Sequence, residues 1–373
     1  AREISRLEVE GEDPKRLEEM LHDAQYYSDE TCATDGLCGL ICPVKIDTGK
    51  FIKDWRHQKA SDTAKDIAGY IGKHMDTTTS VMRGSLDFVH FFHSLLGDSL
   101  MGGIASGMRS LSLNTIPKWN KDMPKGATKI KKTIVNPGQE NKVVYFPSCI
   151  NRAMGKSKGY DKEDVELTKK TQQLLERAGF TIIYPEGINN LCCGMAFSSK
   201  GLKEEGRRKS NELEQALLKA SNGGEYPVLF DMSPCFYTFH EAYENKDLKI
   251  YDPIEFMLEF VMPKLDVKHP RDIVTVFPVC SVKKIGMEQK LLDLARLCSK
   301  EVAFVQSNCC GFAGDRGFTY PELNAHGQRH LSEQVPADCK DGYSTSRTCE
   351  IGMSEYSDIN FKSIFYLIDE VTR

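Results

Sequence analysis

Cysteines are concentrated in three short motifs of this 373-residue chain. The first motif runs from Cys32 through Cys38 to Cys42-Pro43, and the other two are Cys192-Cys193-Gly194 and Cys309-Cys310-Gly311. Single cysteines accompany each Cys-Cys-Gly at matched distances, so these groups use 11 of the 13 cysteines. Cysteine thiolates are the usual ligands of iron–sulfur clusters, and Cys-Pro closes the bacterial ferredoxin motif. The motifs therefore predict a protein that handles electrons.

The two Cys-Cys-Gly motifs lie in two halves that repeat the same order of elements. Each half is predicted to begin with a strand and a cysteine, followed by a helix, a second strand and the Cys-Cys-Gly motif. The strands are expected at residues 143–146, 181–184 and 228–230, and again at 273–277 and 302–305, with a weaker third strand in the second half. Such alternation predicts a parallel sheet covered by helices.

In parallel α/β sheets, ligands bind beyond the carboxyl ends of the strands, and the cysteines of the repeat lie at those ends. We therefore predict two metal sites, one formed by Cys149, Cys192, Cys193 and Cys235 and the other by Cys280, Cys309, Cys310 and Cys349. The glycine after each pair lacks a Cβ, which would let the backbone pass close to a bulky inorganic core. Inert buried cysteines are the alternative, which explains a repeated layout poorly but suits Cys298 and Cys339.

The identity of the metal is open at this point. Four thiolates would satisfy a tetrahedral zinc ion, although two adjacent cysteines on one zinc are awkward. A multi-iron cluster offers more points of attachment than a single ion. We therefore expect iron–sulfur clusters of the 4Fe-4S or 3Fe-4S type, with zinc in one Cys-Cys-Gly site as the alternative.

Composition limits the kind of partner and the compartment. Lysine and arginine number 49 and aspartate and glutamate 53, a net charge of −4, so no nucleic acid or acidic polymer is indicated as a partner. Adjacent cysteines in a long chain suit metal binding better than disulfides. The first residues also lack the apolar segment of a secretory signal. We therefore expect a cytoplasmic protein.

The most apolar region, residues 88–108, contains Asp98 and has ten uncharged residues on either side of it. A membrane span needs roughly 20 apolar residues, so none is expected here. Apolar residues recur at helical spacing, which predicts an amphipathic helix packed on its own protein, with His90 and His93 as core histidines. A surface that meets a partner subunit, or the inner face of a membrane as a peripheral contact, is the alternative. The lysine-rich residues 117–138 are interpreted as a solvated linker, with a weak contact to an anionic surface as the alternative.

The motifs resemble those of known redox proteins. The two Cys-Cys-Gly segments look like the cysteine-rich domain found in one subunit each of heterodisulfide reductase, glycolate oxidase (its iron–sulfur subunit) and anaerobic glycerol-3-phosphate dehydrogenase. Nearly the whole chain, including residues 31–50 and 346–352, is similar to the C-terminal half of FAD-linked D-lactate (2-hydroxy acid) dehydrogenases. The resemblance implies that electrons from an FAD domain pass through this part to a quinone or another carrier.

The chain departs from that family at the amino terminus. It lacks the flavin domain and an upstream ferredoxin motif, so we expect a fragment or a separate subunit, with FAD on the missing domain or on a partner. Asp35 holds the second cysteine position of the ferredoxin motif. The resemblance implies that Cys32, Asp35 and Cys38 face one cluster, three-iron or with a labile fourth iron, and that Cys42 faces another. For Asp35, an ordinary turn residue is the alternative.

The chain also departs from heterodisulfide reductase. That pattern ends each module in Cys-x-x-Cys, whereas the corresponding segments here are Cys235-Phe236-Tyr237-Thr238 and Ser346-Arg347-Thr348-Cys349. Each module is therefore one thiolate short of the five that hold the clusters of that enzyme. This difference puts disulfide-reducing chemistry in doubt.

Together these observations predict an α/β chain with a helical, ferredoxin-like amino-terminal region and two pseudo-symmetric parallel α/β modules. The expected domains are a partial ferredoxin-like region (1–60), a helical region with a linker (61–138), and two Cys-Cys-Gly domains (139–258 and 259–373). The leading function is an electron-transfer module of a flavin-dependent D-lactate dehydrogenase, without the substrate-oxidising site. A thiol/disulfide redox catalyst and a zinc-stabilised structural subunit are the alternatives. Because Gly-rich phosphate loops are missing, nucleotide binding is not expected.

Overall fold

The computed structural model describes residues 2–112, 116–162, 164–307 and 309–373. The parts of the predicted domains that fall on Ala1, residues 113–115, Glu163 and Asn308 lie outside the described residues. Within the described residues the chain folds into an amino-terminal helical part and two sheets covered by helices.

The amino-terminal part is helical, as predicted. Its helices are α1 (Arg2–Glu10), α2 (Pro14–Ala24), α3 (Leu37–Ile41), α4 (Thr48–Lys59), α5 (Asp62–Lys73) and α6 (Met75–Leu111), with a π-helical turn at Gln25–Glu30. Side chains satisfy the free amides where helices begin. Asp47 accepts hydrogen bonds from the amides of Gly49 and Lys50 at 2.8 and 3.3 Å, and Ser61 accepts one from Ala64. The ferredoxin-like character of residues 1–60 stays a prediction.

Strands β1 (Pro124–Gly126) and β4 (Met154–Ser157) form a separate, two-stranded antiparallel pair. Among the described residues, the first large sheet has five strands. Its strands are β2 (Ile134–Val135), β3 (Asn141–Phe146), β5 (Phe180–Ile183), β6 (Val228–Phe230) and β7 (Ile250–Tyr251). Its helices are α7 (Cys149–Ala153), α8 (Leu167–Arg177), α9 (Met195–Ser198), α10 (Lys203–Ala220), α11 (Ser233–His240) and α12 (Pro253–Phe256), with further short turns at Ile188–Asn190, Met257–Val261 and Met262–Lys264. The strand order is β2-β5-β3-β6-β7, and only the pairing of β2 with β5 is antiparallel among these described strands.

The second sheet is parallel throughout the described residues, with the order β11-β10-β8-β9. Its strands are β8 (Arg271–Val276), β9 (Ser299–Phe304), β10 (Asp341–Ser344) and β11 (Asn360–Ser363). Its helices are α13 (Cys280–Lys284), α14 (Glu288–Cys298), α15 (Arg316–Thr319), α16 (Pro321–Gln328), α17 (Arg347–Glu355) and α18 (Ile364–Thr372), with a short turn at Ser332–Gln334. The mixed α/β fold with parallel sheets is therefore confirmed.

Both sheets arrange their four parallel strands in the same way. When the strands of each half are numbered along the chain, the order is 2-1-3-4 in both sheets. The fourth strands, β7 and β11, were not anticipated from the sequence. Superposition of the two halves as pseudo-symmetric units stays a prediction, and so do the domain limits given above.

Apolar strands fill the interior because helices cover both faces of each sheet. Val143, Val144, Tyr145 and Phe146 of β3 are all buried, and so is most of α18. Residues of both halves belong to one continuous hydrophobic cluster, which includes Tyr145 and Val276. The two halves are therefore packed against each other through apolar surface.

Buried charges also join the two halves. The ammonium group of Lys362 on β11 is buried, and it lies 3.2–3.6 Å from carboxylate oxygens of Asp161, Asp164, Asp341 and Glu370. Lys170 of α8 pairs in the same way with Asp369 of α18. A buried charge that loses its partner is strongly destabilising, so these pairs fix the relative position of the halves. Asp161, Asp164 and Glu370 come close enough to hold a cation, and Lys362 is that cation.

Helix α6 differs from the sequence-based interpretation. Phe88, Phe91 and Leu95 are 65%, 64% and 70% exposed, so the apolar face does not pack on the protein and that interpretation is wrong. The buried face carries Leu86 and His93 instead, and the rest of the apolar residues point outward because β1 packs along the other side. No helix among the described residues combines the length and apolarity needed to cross a membrane.

Asp252 provides a test of this core through pH. Its carboxyl group is fully buried at the start of α12, and burial raises its pKa to about 7. The folded protein therefore keeps a proton there that the unfolded chain releases, so stability falls as the pH rises towards 7. As the pH rises from about 5 to about 8, the unfolding free energy of the unmodified protein should fall by about 3 kcal/mol relative to that of Asp252→Asn, whose amide has no proton to lose in this range.

The comparison is made by urea unfolding at several pH values, followed by circular dichroism. Asp62→Asn, at an exposed carboxylate of α5, is the control and should show no such change with pH. Parallel pH profiles for Asp252→Asn and the unmodified protein would contradict the burial of an uncharged carboxyl group at this position.

Candidate metal centres

The first site comprises Cys149, Cys192, Cys193 and Cys235. Cys149 is the first residue of α7 after β3, and Cys235 lies in the first turn of α11 after β6. Cys192 and Cys193 stand between β5 and α9. The thiols contact one another in a row, Cys149 with Cys192, Cys192 with Cys193, and Cys193 with Cys235. The carboxyl edge of the first sheet thus brings together the four cysteines predicted for it.

The second site comprises Cys280, Cys309, Cys310 and Cys349, and it has the same layout. Cys280 begins α13 after β8, the pair follows β9, and Cys349 lies in α17 after β10. The thiol of Cys309 contacts those of Cys280 and Cys310. Cys310 Sγ lies 3.0 Å from Cys349 Sγ. The role of these cysteines as ligands stays a prediction, but each set lies in one place.

Crowding and burial favour the protonated form of Cys149, Cys192 and Cys280 when no cation is bound. Contact with Cys192, together with burial, raises the pKa of Cys149 well above its usual value. The Cys149 thiol lowers the pKa of Cys192, but contact with Cys193 and burial raise it to about 12. The pKa of Cys280 is likewise raised, first by Cys309 and then by burial. Since metals bind thiolates, a cation must replace these protons.

A buried guanidinium group accompanies the first site. Arg152 Nε donates to the carbonyl oxygen of Pro147 at 3.1 Å, and Nη2 donates to that of Leu191. Arg152 Nη1 is buried and has no hydrogen-bond partner among the described residues. The side chain lies close enough to Cys149 and Cys192 for their thiolates to favour its charge. A buried cation with a free donor next to four thiols fits a sulfur-rich anionic group such as an iron–sulfur cluster.

The glycine of each Cys-Cys-Gly has a different role from the expected one. Gly194 and Gly311 have φ of 88° and 71°, and a Cβ would lie 2.2 Å from the oxygen of Gly206 and 2.3 Å from that of Leu323. Each glycine therefore makes room for the backbone of a nearby helix, α10 for Gly194 and α16 for Gly311, and the expectation that it also makes room for an inorganic core stays a prediction. The two glycine amides donate to Cys192 Sγ and Cys309 Sγ, both at 3.4 Å.

The three cysteines of the amino-terminal motif have separate surroundings. Cys38 Sγ accepts from the amide of Thr48 at 3.3 Å, and Cys32 Sγ accepts from that of Thr34 at 3.4 Å. The backbone amides of Ile46 and Val44 lower the pKa of Cys42. In the described part of the chain, none of the three cysteines belongs to a set of three donor atoms within 4.8 Å of one another.

Asp35 lies in a place that the sequence did not suggest. Its Oδ1 accepts from the amide of Leu37 at 3.1 Å, and its Oδ2 lies 3.5 Å from Cys280 Sγ. Asp35, Cys280 and Cys309 offer ligand atoms within 4.8 Å of one another. The expected grouping with Cys32 and Cys38 differs from this because Gly36, with φ of 75°, turns the chain against α13.

The two remaining cysteines lie outside the sites. Cys298 is fully buried on α14, and burial raises its pKa to about 12. Cys339 Sγ lies 3.2 Å from the hydroxyl oxygen of Thr275. Both therefore have the surroundings of inert core cysteines.

The repeated layout has a counterpart among known families. Residues 143–240 and 274–353 match the model of the cysteine-rich domain CCG. Each of the two stretches is similar to the CCG domain, and the names first and second CCG domain refer to residues 143–240 and 274–353. The predicted resemblance to this domain is thereby confirmed. No solved structure matches the chain.

Two curated relatives share part of the chain. The C subunit of anaerobic glycerol-3-phosphate dehydrogenase from Escherichia coli is 28% identical over 188 residues, covering 43% of this chain and 47% of that protein. Lactate utilization protein A of Oceanobacillus iheyensis is 23% identical over 210 residues, covering 52% of this chain and 80% of that protein. The match thus spans about half the length of the dehydrogenase subunit.

The close approach at Gly194 of the first CCG domain can be tested by adding a methyl group. Gly194→Ala should destabilise the protein by roughly 1 kcal/mol for its positive φ and by roughly 2 kcal/mol more for the clash with Gly206. Gly187→Ala is the matched control, because Gly187 also has a positive φ, of 69°, but has open space around it. Urea unfolding measures both, and equal losses would contradict the close approach.

Proposed function

We propose that the chain is an iron–sulfur electron-transfer module of a flavin-dependent oxidoreductase, with one cluster in each CCG site. The observation that carries the proposal is the row of four buried or half-buried thiols at the same sheet edge in both halves. The unpaired Nη1 of Arg152 and the glycine amides that donate to sulfur support it, since such donors stabilise thiolates and adjust cluster potentials.

The arrangement of the thiols favours iron–sulfur clusters over zinc. Zinc–sulfur bonds are about 2.3 Å long, so four thiolates on one zinc lie about 3.8 Å from one another. Among the described residues, neither site contains three thiols that all lie within 4.8 Å of one another. A row of contacts suits a larger core with several irons better than a single ion.

The amino-terminal motif is proposed to hold further cluster ligands, with Cys32 and Cys38 at one cluster and Cys42 facing another. Arg56 attaches this motif to the first CCG domain, since it donates to the oxygen of Cys32 at 3.0 Å and to that of Ser199 at 2.6 Å. Arg316, of the second CCG domain, donates to the oxygen of Glu30. The motif thus contacts both domains, as a relay between clusters requires.

We further propose that the electrons come from a 2-hydroxy acid of the D-lactate type. Its oxidation would take place at FAD on another domain or subunit, and a quinone or another carrier would accept the electrons. The resemblance of residues 31–50 and 346–352 to FAD-linked D-lactate dehydrogenases supports this substrate class. The names of the two relatives, a dehydrogenase subunit and a lactate utilization protein, agree with an oxidoreductase assembly.

Single substitutions test whether each CCG site holds its own cluster. After anaerobic reconstitution with iron and sulfide, Cys192→Ser and Cys309→Ser should each lose one site and keep the other. Cys298→Ala, at a cysteine outside both sites, should keep the iron content and the visible absorption of the unmodified protein. Iron and sulfide analysis with electron paramagnetic resonance measures the result. Zinc without sulfide, or full iron content in both serine variants, would contradict the proposal.

We propose that the exposed apolar face of α6 binds an anionic lipid surface on the cytoplasmic side of a membrane. Phe88, Phe91 and Leu95 protrude from it, and exposed aromatic and leucine side chains are those that enter the interface between headgroups and acyl chains. Lys125 lies exposed on β1, whose Gly126 amide donates to Asp87 of α6 at 2.9 Å. Lys158 is already paired with Asp98 of α6 at 3.1 Å, so of these two lysines Lys125 is the one whose charge is available to an anionic headgroup.

Vesicle binding tests this contact. The full chain should sediment with vesicles containing anionic phospholipid, and Phe91→Ser combined with Leu95→Ser should weaken binding about 10-fold or more. Ile67→Ser combined with Tyr70→Ser is the control, because these residues are exposed on α5. Equal binding by the α6 double variant and the unmodified protein, or binding by neither, would contradict the proposal.

A further inference from the structure

We propose that Asp35 is a carboxylate ligand of the metal centre in the second site, alongside Cys280, Cys309, Cys310 and Cys349. The inference rests on the proposed function, because it takes the second site to hold iron. It assigns Asp35 of the amino-terminal motif to a centre built by another part of the chain. The first site would then be held by thiolates, whereas the second would have one oxygen ligand.

The position of the carboxylate is the first argument. Asp35 Oδ2 lies 3.5 Å from Cys280 Sγ, and it comes within 4.8 Å of the sulfurs of both Cys280 and Cys309. Asp35 is the non-cysteine member of this set of donors. Donor atoms this close together can all reach one metal centre, since metal–oxygen and metal–sulfur bonds are about 2.0–2.3 Å long.

The second argument is that the orientation of Asp35 is fixed. Its Oδ1 is held by the amide of Leu37 at 3.1 Å, which leaves Oδ2 for the second site. Gly36 is buried with φ of 75°, and a Cβ there would lie 2.7 Å from both Asp47 Oδ2 and Lys284 Nζ. Lys284 belongs to α13, which Cys280 begins. The turn that carries Asp35 therefore packs closely against α13, the helix that begins with Cys280.

The first site has apolar neighbours in the place where the second site has the Asp35 carboxylate. Cys192 packs there with Ala68 of α5, Met75 of α6 and Phe197 of α9, and Cys149 packs against the same apolar group. No set of three close donors at the first site contains a carboxylate in the described part of the chain. One site is covered by apolar side chains and the other by an anionic group. An added carboxylate should make the second centre harder to reduce and its oxygen-bound iron easier to lose.

The test uses the full chain reconstituted with iron and sulfide. The signal of the second site is identified as the one that Cys309→Ser removes. Asp35→Asn keeps an oxygen for the Leu37 amide but loses the charge, so the midpoint potential of that signal should shift to a more positive value and iron should be lost from that site. Asp35→Cys should restore the iron content and change the shape of the signal.

Asp315→Asn is the matched control, because it removes an exposed carboxylate that pairs with Lys200 after the same Cys-Cys-Gly motif. It should leave the signal and its potential unchanged. If the signal that depends on Cys309 is the same in Asp35→Asn, Asp35→Cys and the unmodified protein, the inference is overturned while the proposed function stands. If the unmodified protein takes up no iron at either site, both are overturned.

Discussion

Several thiols that touch in a buried place cannot all carry a negative charge unless a cation shares them, and the two CCG sites are built around this constraint. Burial and mutual contact raise the pKa values of Cys149 and Cys280, so charge can develop only together with a metal. The amides of Gly194 and Gly311 donate to sulfur at the two sites, and the guanidinium of Arg152 lies beside the first site as the Asp35 carboxylate lies beside the second. Parallel strands make it possible to bring four thiols together, because the carboxyl ends of such strands share one edge of the sheet.

The amino-terminal motif is placed by a few long polar side chains. Arg56 is buried and holds Asp29 at 2.9 Å as well as the backbone of the first CCG domain. Arg316 and Asp35 attach the same segment to the second domain. The motif is therefore held between two domains that face it with different chemistry, apolar side chains at one and a carboxylate at the other.

How much of this structure the sequence could predict depended on whether a feature is set by local spacing or by tertiary packing. Local spacing, which one sequence displays directly, predicted the strands β3, β5, β6, β8 and β9, the helices α8 and α14 and the two sets of cysteines. The exposure of Phe91 and the contact of Asp35 with Cys280 depend on what packs against a segment, and periodicity shows that a face is apolar without showing what covers it. The aspartate at a cysteine position singled out Asp35 in the sequence, but its contact with Cys280 depends on tertiary packing that the motif does not show.

The charges shared between the halves make the two CCG domains a single cooperative unit. If the chain were cut between α12 and β8, Lys170 would lose Asp369, and on the other fragment Lys362 would lose Asp161 and Asp164. Each fragment would expose a large part of the shared apolar cluster and would lose part of the compensation for its buried lysine, since Lys170 would keep Asp164 and Lys362 would keep Asp341 and Glu370. Although the same strand order occurs twice, each copy covers apolar surface and buried charges of the other, so we expect the two copies to unfold together.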